Sequence, residues 1–186
     1  MFERKPTLVG AKVTLLPVGP EHVDGLLELT GDPEVRRLTG SHAEPPGREA
    51  SRQWYVTRAY QENRLDLAIC VGGAYIGEVV LNEVDADNLR CNLRIALLGS
   101  RVFGQGYGTE AIGLVVEHAF LTTPLNRISL EVFDFNERAR HVYLKAGFVE
   151  EGVLRDALLW EGRWHDSILM SVLRADWSGR ERLGAS

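Results

Sequence analysis

The chain has 186 residues, of which 45% are hydrophobic, and its formal net charge is -5 at pH 7. That length predicts one domain over residues 1–186 with a sizeable core, and the mildly acidic balance gives no sign of a nucleic-acid partner. The two cysteines and five histidines show no metal-ligand spacing, so no metal site is expected. The start of the chain has no apolar leader and no apolar run approaches about 18 residues, so we expect a cytoplasmic protein with no membrane partner.

The N-terminal part predicts one strand followed by helices. The strand is expected at Lys12 to Leu16, and a helix from Pro20. A short helix is predicted next, because Asp32-Pro33 is a start signal and Gly40 a stop signal.

A loop at Ser41 to Arg48 then precedes a helix through Trp54 and Tyr60. Such a loop either sets the specificity of a binding site or merely connects two elements, and both roles stay open.

Turn signals divide the next segment into an antiparallel meander. Gly72-Gly73 lies between two β-favouring runs and predicts a hairpin, and Asp85 to Asn88 predicts a second turn. Near the end of the chain, Leu158 to Trp164 predicts another hairpin, and Ile168 to Leu173 a final apolar strand.

The middle of the chain combines a strand, a glycine-rich loop and an amphipathic helix. The strand is predicted at Cys91 to Leu98, and the loop has the sequence Gly104-Gln105-Gly106-Tyr107-Gly108-Thr109-Glu110. Glycines let the backbone take positive φ angles, so several N–H groups can converge on an anion at the positive end of the following helix. The loop therefore predicts a phosphate-binding site, although its spacing matches neither a nucleoside-triphosphate loop nor a dinucleotide fingerprint.

A second strand and helix follow. The strand is predicted at Arg127 to Phe135, and the helix begins at Asn136, a good N-cap, and ends at Gly147. One face of this helix is apolar, and a different face is basic, with Arg138, His141 and Lys145.

These two motifs, in this order, resemble the GNAT superfamily of acetyl-CoA dependent N-acetyltransferases, over roughly Lys12 to Trp177. Within the superfamily, the chain looks most like the branch that contains the ribosomal-protein N-terminal acetyltransferases. The resemblance implies an α/β fold with a mixed, mostly antiparallel central sheet of about seven strands flanked by helices. That sheet is expected to splay between the strand of Ile95 and the strand of Val132, with acetyl-CoA as co-substrate in the gap.

The resemblance also implies which residues bind the cofactor. The main chain of Ile95, Ala96 and Leu97 would pair with the pantetheine, and Asn136 and Ala139 would flank it. The diphosphate would be held by N–H groups of the loop, namely Phe103, Gly104, Gln105, Gly106, Tyr107, Gly108 and Thr109.

One loop position departs from the superfamily pattern. Phe103 stands where Arg or Gln is usual, if Gly106 and Gly108 are the two motif glycines. A shifted register with Arg101 leaves Gly108 unexplained, and we prefer the first register because backbone N–H groups carry most of the diphosphate contact.

For the chemistry, the resemblance implies two catalytic groups. The N–H of Leu97 would polarise the thioester carbonyl, and the Tyr143 hydroxyl, expected at its ordinary pKa, would protonate the leaving sulfur. The ring of Tyr143 also suits packing, and the two roles are compatible.

The general base stays open. Asn92 occupies the place where related enzymes often have Glu, so Glu78, Glu83 or a chain of waters is the alternative. Strand alternation predicts that Glu78 and Glu83 lie on opposite faces.

The partners also stay open. The acceptor is either a small-molecule amine or a protein N-terminus, and a homodimer is possible through the aromatic hairpin of Trp160 and Trp164. The missing carboxylate at Asn92 keeps a second hypothesis, a non-catalytic protein that binds or senses acyl-CoA.

Overall fold

The computed structural model describes residues 1–181 and shows one eight-stranded sheet with helices on both faces. The strands, in chain order, are β1 Leu8–Val9, β2 Thr14–Pro17, β3 Leu65–Val71, β4 Ala74–Asp85, β5 Arg90–Leu97, β6 Arg127–Phe133, β7 Val149–Trp160 and β8 Arg163–Leu173. The helices are α1 Val23–Gly31, α2 Pro33–Thr39, α3 Arg48–Arg58, α4 Tyr107–Thr122, α5 Glu137–Ala146 and α6 Arg174–Glu181. The predicted fold class is confirmed, with eight strands in place of about seven.

The strand order in the sheet is β1-β2-β3-β4-β5-β6-β8-β7, and every neighbouring pair is antiparallel except β5 and β6. A parallel pair needs a crossover, and α4 provides it. Pairing between these two strands is limited to Arg90–Asn92 against Arg127–Ser129. Beyond those three positions the strands separate, so the predicted splay between the Ile95 and Val132 strands is present.

The main core lies between the sheet and α4. The apolar stripe of α4 is buried there, with Ile112, Val115, Val116, Ala119 and Phe120 all at most 2% exposed. Each of these side chains other than Ala119 contributes roughly 1.5–3 kcal/mol by leaving water, which makes this stripe the main reason that α4 docks on the sheet. Both cysteines are buried and free, as small apolar residues would be.

Local signals in the sequence place several element ends correctly. The Asp32 side chain accepts hydrogen bonds from the N–H groups of Glu34 and Val35 at the start of α2, and Gly40 ends that helix at φ +64°. Gly72 and Gly73 have φ angles of +56° and +83° in the first hairpin.

Other boundaries differ from the expectations. The first predicted strand begins at Thr14 rather than Lys12, and α3 ends at Arg58, before Tyr60. Neither β1 nor α6 was predicted from the sequence.

Candidate active site

The glycine loop forms the entrance to α4. Gly104 and Gly106 have φ angles of +74° and +82°, and Gly106 caps the helix. Gly108 lies inside the first turn of α4 without a positive φ, so two of the three loop glycines take the left-handed conformation. A Cβ on Gly108 would lie 3.5 Å from Leu97 Cδ1, at ordinary contact distance.

A carboxylate from α4 ties this loop to the N-terminal segment. Glu110 accepts hydrogen bonds from the N–H groups of Ala11, Lys12 and Val13, at 3.0, 2.8 and 2.8 Å. Partial burial alone would raise the pKa of Glu110, but these backbone donors outweigh it and hold the pKa below its usual range. Lys12 Nζ donates in turn to the carbonyl of Gln105 at 3.0 Å, so the N-terminal segment stabilises the position of the glycine loop.

The edge of β5 offers unused main-chain groups to the splay. The N–H of Leu98 donates to the carbonyl of Ile76 at 2.8 Å, and Leu97 lies opposite Gly77. In an antiparallel ladder this pattern makes Leu97 and Gly77 a pair without mutual hydrogen bonds, so the Leu97 N–H points away from β4. By the same alternation the N–H of Ile95 points into the splay, where β6 has moved away.

One cavity of about 560 Å³ runs through the splay from the loop to the opposite side of the sheet. It brings together the predicted site residues, with the exception of Gln105: Ile95, Ala96, Leu97, Phe103, Gly104, Gly106, Tyr107, Gly108, Thr109, Asn136, Ala139 and Tyr143. Its volume is in the usual range for small-molecule sites.

Tyr143 lines this cavity although its side chain is largely buried, with 7% exposed. Burial raises the pKa of Tyr143 to about 12, so the expectation of an ordinary pKa is wrong. Its ring packs against Phe148, with 5.9 Å between ring centroids. Within the described part of the chain its hydroxyl makes no hydrogen bond to protein, which leaves it available to a ligand.

The N-terminal end of α5 meets the glycine loop. The Asn136 side-chain oxygen accepts a hydrogen bond from the N–H of Ala139 at 3.2 Å, which fixes the helix start. The guanidinium carbon of Arg138 lies 3.4 Å from the centroid of the Phe103 ring. Arg101, the alternative motif residue, instead pairs with Glu28 at 2.5 Å, which favours the register with Phe103.

The opposite end of the cavity is lined by α2 rather than by the loop at Ser41 to Arg48. Val35, Leu38 and Thr39 face it, whereas no lining residue comes from that loop. The specificity role considered for the loop therefore has no contact in the cavity to support it.

A β-bulge in β4 turns the Glu83 side chain toward this end of the cavity. The register shifts between Asn82 and Asp85, and Glu83 has φ +52°, a strained value for a residue other than glycine. Val84 packs on the main core, and Glu83 lines the cavity. The extra residue places Glu83 on the same face as Glu78, so the prediction of opposite faces is wrong.

Glu78 itself does not line the cavity. Its carboxylate accepts a hydrogen bond from the Tyr55 hydroxyl at 2.9 Å, and burial raises its pKa. It is therefore placed for packing under α3.

Glu131 is a cavity carboxylate that the sequence reasoning missed. Ile128, Leu130 and Val132 of β6 enter the core, so Glu131 points to the other face, the one shared by Asn92 and Ser129. Its Oε2 accepts a hydrogen bond from Ser167 Oγ at 2.9 Å. The alternation in Arg127–Phe133 contains this signal, because Glu131 is the polar position between the core residues Leu130 and Val132.

Comparison with known proteins identifies the family of this chain. The family model of the acetyltransferase (GNAT) domain matches residues 12–149. The chain belongs to the GNAT family. Acetyl transfer from acetyl-CoA to an amino group is accordingly its class of activity.

Individual GNAT relatives match to different extents. YdaF of Bacillus subtilis, named a ribosomal N-acetyltransferase, is 29% identical over 119 residues. This match covers 64% of the present chain and 64% of the length of YdaF. N-acetyltransferase p20 of Bacillus licheniformis is 26% identical, and the match covers 93% of the present chain and 99% of the length of p20. Spermidine N-acetyltransferase from Vibrio cholerae, solved with CoA and spermine, superposes with a TM-score of 0.81 at 21% identity, covering 90% of this chain and 99% of that one, which shows a shared fold.

The GNAT co-substrate fits the groups found here. The inward N–H groups of Ile95 and Leu97 suit the amides of a pantetheine, and the left-handed Gly104 and Gly106 expose backbone donors beside the helix start. Within the described residues no group of three or more His, Cys, Asp or Glu side chains could hold a metal ion. In the same part of the chain, no helix has the length and apolar character needed to span a membrane.

Proposed function

We propose that this GNAT protein acetylates a primary amine by direct attack within a ternary complex, with Glu131 as the general base. The observation that carries this proposal is the single cavity through the splay, which joins the glycine loop at one end to two carboxylates, Glu83 and Glu131, at the other. Two reactants can therefore meet there without a covalent enzyme intermediate.

Acetyl-CoA supplies an acetyl group activated as a thioester. The N–H of Leu97 points into the splay and would stabilise negative charge on the thioester oxygen. Tyr143 carries its proton at neutral pH, as a tyrosine of ordinary pKa also does, and burial raises its pKa further, to about 12. It can therefore donate that proton to a developing thiolate.

Glu131 is preferred over the other carboxylates as the base. It projects from β6 beside the splay and keeps one oxygen, Oε1, outside its hydrogen bond to Ser167. Glu83 lies at the far end of β4, beyond Asn92, where it suits the positive charge of an acceptor. The Glu78 carboxylate instead accepts a hydrogen bond from the Tyr55 hydroxyl.

The acceptor end of the cavity favours a cationic amine. The two carboxylates Glu83 and Glu131 outweigh the single positive charge of Arg94 there, while Val35 and Leu38 provide an apolar wall. A protein N-terminus and a polyamine both satisfy this chemistry, in keeping with relatives named for ribosomal and spermidine acetylation. We infer that the acceptor presents an ammonium group next to a short apolar stretch.

A homodimer is a further part of this proposal. The edge strand β7 and its hairpin partner expose Val149, Val153, Leu159 and Trp164, the last at 58% exposure. Trp160 instead stacks on His42 at 5.0 Å, so the self-association surface would be centred on Trp164. The cytoplasmic location stays a prediction from the sequence.

The decisive experiment measures free thiol released from acetyl-CoA with a panel of amines and N-terminal peptides. Glu131→Gln should lower kcat by about 10²-fold, because a general base typically contributes 10²–10⁴-fold. Glu83→Gln is the matched control and should raise KM for cationic acceptors with little change in kcat. Binding of acetyl-CoA without thiol release from any acceptor would favour the non-catalytic alternative, and full activity of Glu131→Gln would refute the assigned base.

A further inference from the structure

The loop that would hold the CoA diphosphate has no cation of its own at its first position. Phe103 stands where the family pattern has Arg or Gln, and a phenyl ring neither donates a hydrogen bond nor carries charge. Backbone N–H groups alone leave most of a diphosphate charge unpaired, and guanidinium groups are the side chains best suited to it.

A guanidinium reaches this position from another element. Arg138, the second residue of α5, lies with its guanidinium carbon 3.4 Å from the Phe103 ring centroid, and both residues line the cavity. A guanidinium stacked on a ring uses its flat face and keeps the N–H donors along its edge for a ligand.

The surroundings of Arg138 also point to a ligand. Within the described residues its guanidinium makes no hydrogen bond or ion pair with protein, whereas its neighbour Arg140 pairs with Glu150 and Arg127 pairs with Glu151. Arg138 also lies in the first turn of α5, at the positive end of the helix, where a cation is unfavourable unless an anion offsets it. Apart from the stack on Phe103, no described protein group accounts for the charge at this position, and an anion in the cavity would offset it.

We propose that Arg138, held on the Phe103 ring, supplies the positive charge for the CoA diphosphate that the loop itself lacks. The inference rests on the proposed use of acetyl-CoA. Phe103 is a platform under this assignment, and the pair together replaces the single motif side chain.

The test measures dissociation constants by calorimetry for CoA, for dephospho-CoA, which lacks the 3′-phosphate, and for pantetheine, which has no phosphate. Arg138→Ala should weaken CoA and dephospho-CoA alike by about 10-fold or more, the usual effect of losing one charge-assisted contact, and leave pantetheine unchanged. The dependence of CoA affinity on salt should become shallower. Arg140→Ala, which removes a neighbouring surface charge, is the matched control and should bind all ligands as the parent does.

A second set of variants tests the platform. Phe103→Leu should weaken CoA binding in the parent but cause no further loss in Arg138→Ala, because the two residues act as one unit. Phe103→Arg in the Arg138→Ala background should restore affinity for dephospho-CoA by returning the cation to the loop.

Four results would overturn the proposal. CoA binding by Arg138→Ala as tight as that of the parent, or an equal loss of pantetheine affinity, would assign Arg138 to structure. A loss seen with CoA but not with dephospho-CoA would assign it to the 3′-phosphate. Failure of the parent itself to bind CoA would instead remove the proposed function, and this inference with it.

Discussion

The hydroxyl of Tyr143 can be removed with little damage to the fold, which makes it the sharpest test of the chemistry. Tyr143→Phe keeps the ring against Phe148, and no described protein group bonds to the hydroxyl, so no partner is left unsatisfied. The free energy of unfolding should change by less than about 1 kcal/mol.

Turnover should respond far more strongly. If the hydroxyl protonates the leaving thiolate, its loss removes about 10²-fold in kcat, or about 2.7 kcal/mol of transition-state stabilisation. With a pKa of about 12, roughly one molecule in a thousand is phenolate at pH 9, so the parent should show no alkaline loss of activity due to Tyr143 below that pH.

The assay combines thiol release across pH 6–9 with calorimetric binding of CoA and a thermal melt, each done on parent and Tyr143→Phe. A fall in kcat with unchanged CoA affinity and unchanged Tm is the expected result. Unaltered kcat would refute the acid role and leave Tyr143 as a packing residue.

Three further predictions follow from other contacts. Gly108→Val should fold normally but bind CoA at least about 10-fold more weakly by calorimetry, because the valine side chain would fill the space through which the diphosphate reaches the backbone N–H groups. Gln105→Ala is the control, since Gln105 does not line the cavity. Glu110 has a folded pKa below its unfolded value, so the parent should lose stability as pH falls below about 4.3. Glu110→Gln should lose less stability than the parent in thermal melts taken from about pH 5 down to about pH 3. Sedimentation should give a dimer for the parent and a monomer for Trp164→Ser, and a parent mass that stays monomeric at all concentrations would discard the dimer.

Features set by neighbouring residues were predictable from the sequence. The caps at Asp32 and Asn136 and the stops at Gly40 and Gly147 depend on hydrogen bonds and φ angles within one turn of helix. The order of strand, loop and helix around Gly106 is likewise local, which is why the splay could be placed between the correct strands.

Features set by distant contacts were not predictable. The bulge at Glu83 depends on how β4 and β5 pair, and one extra residue reverses the direction of every side chain after it. Glu110 bonds to N–H groups 97 to 99 residues away, and Phe103 meets Arg138 through the packing of α5. The raised pKa of Tyr143 follows from burial, which periodicity alone does not measure.

The separation of β5 from β6 also affects how the backbone exchanges hydrogen with solvent. Amides in the middle of an eight-stranded sheet are normally among the slowest to exchange, yet those of Ile95 and Leu97 face the gap without a strand beside them. They should exchange with deuterium orders of magnitude faster than the amides of Ala96 and Leu98, which face β4. Slowing of these two amides when CoA is added would show the cofactor acting as the missing strand.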